Sequence, residues 1–139
     1  IVKTSLADGV AMGSSIDTIA SQIEDIFKGQ GYKNSLYMAT RVARTEIIGA
    51  SNRGQLIGAQ NTGLEMNKQW VSRIDSVTRT IPKSSFDHAA ANGEIVGLYE
   101  AFKRTGEDMQ HPGDINASVG NIVNCRCTMV FIPAKKYGW

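Results

Sequence analysis

The sequence is short of the features that assign a function quickly. Two cysteines in 139 residues cannot staple a small disulfide scaffold. Three prolines, scattered, make no Pro-rich linker, and no internal repeat or low-complexity tract is present. The longest apolar run is only a few residues, as at 129–133, where a membrane-spanning helix needs about 20. Fifteen basic residues face thirteen acidic ones, so a net charge of +2 gives no broad basic field for nucleic acid. Ile1-Val2-Lys3-Thr4 lacks the cationic start and apolar stretch of a signal peptide, and a first residue other than Met suggests a piece excised from a longer protein.

What remains is ordinary globular material. A content of 42% hydrophobic and 20% charged residues suits a single domain over 1–139 with a core of its own. Its first part, about 1–63, reads as helical. Ile16, Ile19, Ala20, Ile23, Ile26 and Phe27 recur at the spacing of one helical face, with Ser14 as cap, Asp17 in the first turn, and Gly29 and Gly31 as stops. After a polar turn (Gly29 to Asn34), Leu36, Ala39, Ala43, Ile47 and Ala50 line a second helix from 35 to about 59, interrupted in propensity by Gly49 and Gly54. An antiparallel helical hairpin is the economical arrangement.

From about 64 to 139 the pattern changes. Lys68 to Ile74 suits a strand, while Trp70, Ile74, Val77 and Ile81 also fit a helix, and periodicity leaves both open. Asn92-Gly93 and Pro112-Gly113-Asp114 are turn signals, Ile95 to Tyr99 is strand-like, and 125–132 reads as a buried strand. The expected class is α+β: a helical hairpin packed on a small, mostly antiparallel sheet. Leu6 and Val10, with the apolar stripe of the first hairpin helix, either cover that sheet or dock a partner, the former being the simpler reading. Tyr137 and Trp139 are alternative contact residues.

Four side chains could ligate a metal: His88, His111, Cys125 and Cys127. On a strand, residues two apart share a face, so both sulfurs could meet one zinc ion. The spacing is not that of a finger or ribbon, and two buried reduced thiols without cofactor are the simpler expectation. His88 as a general base has no nucleophile elbow, phosphate loop or carboxylate pair beside it, so a loop-fixing role is simpler. His111, beside Pro112, reads as solvent-facing. Arg44 and Glu46, two apart on a helix, do not face each other; Arg41 and Arg44 do share a side, as a patch or as partners for distant carboxylates. For Arg73 and Arg79, Asp75 and Asp87 are candidate partners.

Several short segments together resemble the head-morphogenesis family of tailed phages, the group similar to the phage Mu F protein. They are Ala43-Arg44-Thr45-Glu46, Lys68-Gln69-Trp70, Asp75 with Thr78-Arg79, Asp87-His88 with Asn92-Gly93, Glu100-Ala101-Phe102, His111-Pro112-Gly113-Asp114 and Asn124-Cys125-Arg126-Cys127. The resemblance covers about 40–128, and Asn-Cys-Arg-Cys after Pro-Gly-Asp is its sharpest part. The connection at 81–86 is longer than is usual before the histidine. What the resemblance implies is a structural minor head protein of a phage or prophage. It would lie in the head interior or at the portal vertex, after assembly in the host cytoplasm. Its partners would be the portal and other head proteins, with packaged DNA a further one, and it would touch no membrane. No catalytic activity comes with the family; the alternative is a small nuclease or nucleotide-transferring, toxin-like enzyme using His88 with Arg44 and Arg79. The polar residues Arg44, Glu46, Trp70, Asp75, Arg79, His88, Asp114 and Asn124 are expected to brace loops.

Overall fold

The computed structural model describes residues 2–31 and 33–134; Tyr137 and Trp139 lie outside them. Helices come first and a three-stranded antiparallel sheet follows, an α+β arrangement. The chain divides into two compact units, Ile1–Ile47 and Ile48–Trp139.

In the first unit, α1 (Val2–Ala11) and α2 (Ile16–Gly29) precede the opening half of α3 (Ser35–Asn61). Helix α1 was not legible from periodicity. Ser15, one residue later than expected, caps α2 by accepting from the Thr18 amide at 3.1 Å. Ile19, Ala20 and Ile23 are buried with Ala39 and Ala43 of α3, and Leu6 of α1 packs against them. The apolar stripe of α2 is thus satisfied by helices. Gly9 lets α1 approach, because a Cβ there would lie 2.4 Å from Ile19 Cγ1.

In the second unit, β1 (Met66–Val71) is the central strand, between β2 (Ile95–Gly97) and β3 (Thr128–Pro133). Of the 68–74 segment, Lys68 to Val71 is strand and the rest is not; Ile74, Val77 and Ile81 are exposed, outside any helix. Alternation along β1 sends Lys68, Trp70 and the following Ser72 to the buried face. In register, Trp70 stands opposite Met129, and Lys68 stands between Phe131 and Val96. The core gathers Leu56 and Ala59 of α3 with Trp70, Leu98, Phe102, Met109, Cys125, Cys127 and Met129. Two short helices, α4 (His88–Ala91) and α5 (Val119–Ile122), carry side chains into its edge. Gly49 of α3 meets Gly113 so closely that a Cβ on it would be 2.7 Å from the Gly113 carbonyl oxygen.

The last strand starts later than expected. Cys125 and Cys127 precede β3 and lie in the loop that leads to it.

Candidate functional site

The residues singled out by sequence fall in both units. Arg44 and Glu46 belong to the first, on α3. The others belong to the second, where they form connected braces.

The Asn124-Cys125-Arg126-Cys127 segment folds as a bend with alternating direction. Asn124 takes a left-handed φ of 57°, a conformation that asparagine tolerates better than most residues. Both cysteines then turn inward and are buried, while Arg126 turns out and makes two bonds to Asp75, at 2.6 and 2.7 Å. This fork-to-carboxylate geometry is among the stronger ion-pair forms. Hydrogen bonds from Arg126 hold the Asp75 carboxyl well below the usual carboxylate range, with help from the Val77 amide. Arg73 is a lesser partner of Asp75, at 3.5 Å. Arg79 donates to the Val123 carbonyl instead of to an acid, and its own carbonyl accepts from the His88 amide at 2.9 Å. Asp87 caps α4 through the Ala90 amide at 2.8 Å.

Cap and carbonyl together set the position of His88, which is 2% exposed. Its ring meets Trp70 edge-on at 5.6 Å. Nε2 lies 2.6 Å from Asn121 Oδ1, and Nδ1 lies 3.4 Å from Cys127 Sγ and 3.7 Å from Cys125 Sγ. Ser72 links the same group: its Oγ accepts from the Trp70 indole at 2.8 Å and bonds the His88 carbonyl. The hydrogen bond from Cys125 draws the Cys127 thiol down, and the same contact with burial pushes the Cys125 thiol up. A cavity of about 20 Å³ adjoins them, lined by His88, both cysteines, Arg73, Arg79 and Asn124 among others.

His111 does not join this group; His88, Cys125 and Cys127 are the three that meet, each ligand atom within 4.8 Å of the others. Nor is His111 solvent-facing: it is 6% exposed, with Nδ1 2.9 Å from the Pro112 carbonyl oxygen. Its neighbour Asp114 is buried and folds its own loop, accepting from the Gln110 and Asn116 amides.

The burial of three polar residues was not legible in the sequence. Asn52 of α3 donates to the Pro112 and Cys127 carbonyls, both at 3.1 Å, and accepts from Thr128. Asn121 donates to Glu107 at 3.0 Å and to Thr105 at 3.1 Å. Lys68 is fully buried, with Nζ 2.6 Å from the Gln110 carbonyl and 5.0 Å from the centre of the Phe102 ring. Burial pulls its ammonium down to about 8, against the attraction of Asp114 and Glu100. A lysine or asparagine inside a polar stretch gives no sequence sign of burial; its phase with Trp70 was the one available clue to Lys68.

Among the described residues no buried side-chain nitrogen or oxygen lacks a partner. The site is thus an internally satisfied hydrogen-bond network. The family described as "Phage Mu protein F like protein" matches residues 1–130, and the chain belongs to that family. It is accordingly a phage head-morphogenesis protein, associated with the virion. Neither the curated proteins nor the solved structures return a match. No helix among the described residues is long and apolar enough to cross a membrane.

Proposed function

We propose that this chain is a structural minor head protein that docks on the portal or procapsid during assembly and takes its place in the head interior or at the portal vertex. Family membership carries the reading, and the geometry is consistent with it. Asp75, Arg79, His88, Asp114, Asn121 and Arg126 hold loops and helix ends, as a docking module with a fixed surface requires. The enzymatic alternative, a nuclease or nucleotide transferase built on His88, has less support, because that ring is buried among Trp70, Asn121 and the two thiols. Packaged DNA is a secondary partner at most, given a net charge of +2.

Co-sedimentation tests the proposal. The chain should travel with assembled portal or procapsid from a head-assembly lysate, and loss of association in that lysate would sink it. Purified protein should leave RNA, DNA and dinucleotides intact, and turnover abolished by His88→Ala would favour the enzyme instead.

A further inference from the structure

We propose that His88, Cys125 and Cys127 form a zinc site, with His88 Nδ1 and the two sulfurs as three ligands and the fourth position facing the small cavity beside them.

The argument begins two shells away. Glu107 accepts from the Ser118 amide and hydroxyl at 2.8 and 3.0 Å, and an ionised carboxylate can only accept. The Asn121 group 3.0 Å from Glu107 must therefore be its NH₂, which turns Asn121 Oδ1 toward His88. An amide oxygen also only accepts, so His88 Nε2 carries the hydrogen. In the neutral ring the lone pair is then on Nδ1, the nitrogen that faces both sulfurs. Metal-bound histidines are commonly fixed in this way, the far nitrogen donating to an oxygen acceptor.

Distances agree with the ion. Zn–S of about 2.3 Å and Zn–N of about 2.0–2.1 Å at a tetrahedral angle put nitrogen and sulfur about 3.5–3.6 Å apart. The two separations here are 3.4 and 3.7 Å. The Cys127 amide points at Cys125 Sγ at 3.4 Å, a hydrogen bond that favours a thiolate. One Zn²⁺ with two thiolates is neutral overall, so the site suits burial better than a lone charge would. The bend at Asn124 does what strand pairing was expected to do, bringing residues two apart onto one ion. The described residues lining the cavity include no carboxylate to act as a base. The ion's work is therefore to tie the 124–127 loop to α4.

The test uses the full 139-residue chain, purified under reducing conditions and stripped with a chelator. Added Zn²⁺ should bind one ion per chain in competition with a chromophoric chelator and raise the melting temperature. Co²⁺ in its place should give a thiolate-to-metal charge-transfer band together with tetrahedral d–d bands. Cys127→Ser should abolish stoichiometric uptake. Since that variant risks misfolding, Asn121→Leu is the second probe: it keeps all three ligands and should weaken Zn²⁺ by about 10–100-fold. A folded wild-type chain that takes up no stoichiometric zinc, or a Co²⁺ complex without the thiolate band, would overturn the proposal. Neither result bears on docking to the head, which co-sedimentation reads separately.

Discussion

Asn52 shows how much a single side chain can hold. One amide satisfies two carbonyls, at Pro112 and Cys127, and accepts from the Thr128 hydroxyl. Asn52→Ala removes the donor to the buried Cys127 carbonyl, while the Pro112 carbonyl keeps His111 Nδ1 and the Thr128 hydroxyl is exposed, so the expected loss is that of one unsatisfied group, about 1–3 kcal/mol, read from urea denaturation. Lys68 makes a different prediction. Its folded value of about 8 lies below the ordinary 10.5, so between those values the unfolded chain binds more protons than the folded one. Stability must then rise with pH across that window and be flat, with respect to this group, below it. The stability difference between wild type and Lys68→Met should climb from about pH 8 to about pH 10.5; a difference that does not change with pH would contradict the buried ammonium.

At the scale of elements, α3 separates two glycines that look alike in sequence. Gly54 has nothing within 4 Å of an added Cβ, whereas one on Gly49 would press on the Gly113 carbonyl at 2.7 Å. Gly54→Ala should stabilise by about 0.5–1 kcal/mol through helix propensity. Gly49→Ala should destabilise despite the same gain, since a backbone carbonyl in a left-handed turn (Gly113 φ 76°) cannot simply rotate away. Paired thermal melts decide both signs. The elements themselves were unevenly legible. Helices α2 and α3 stood out through their apolar spacing, and β1 was ambiguous because Trp70 and Ile74 satisfy either period. Helix α1 was missed because Leu6 and Val10 alone make a thin stripe. The cysteine loop was mistaken for strand because Cys-Arg-Cys alternates inward and outward just as a strand does, although Asn124 bends the backbone ahead of it.

For the whole molecule, the two core clusters share no residue. In denaturant titrations, Ile23→Val in one and Leu98→Ala in the other should cost about 0.5–1.5 and 2–5 kcal/mol. The α+β class and the family were readable from composition, periodicity and a handful of short motifs. The site was readable only in part: His88, Cys125 and Cys127 were candidates from residue type, but their meeting, and the exclusion of His111, depend on contacts between residues 37 and 39 positions apart.

A longer separation, 57 to 67 positions, governs when the sheet can exist. The central strand β1 pairs along its whole length with β3, from Met66 opposite Pro133 to Val71 opposite Thr128. Closing so long a loop before any pairing is gained is slow, and folds rich in distant contacts form correspondingly late. On a ribosome adding about 5–20 residues per second, β1 waits several seconds for its partner. During that interval β1, with Trp70 on it, keeps one edge open, the kind of surface that pairs with other chains before its own partner at 128–133 arrives.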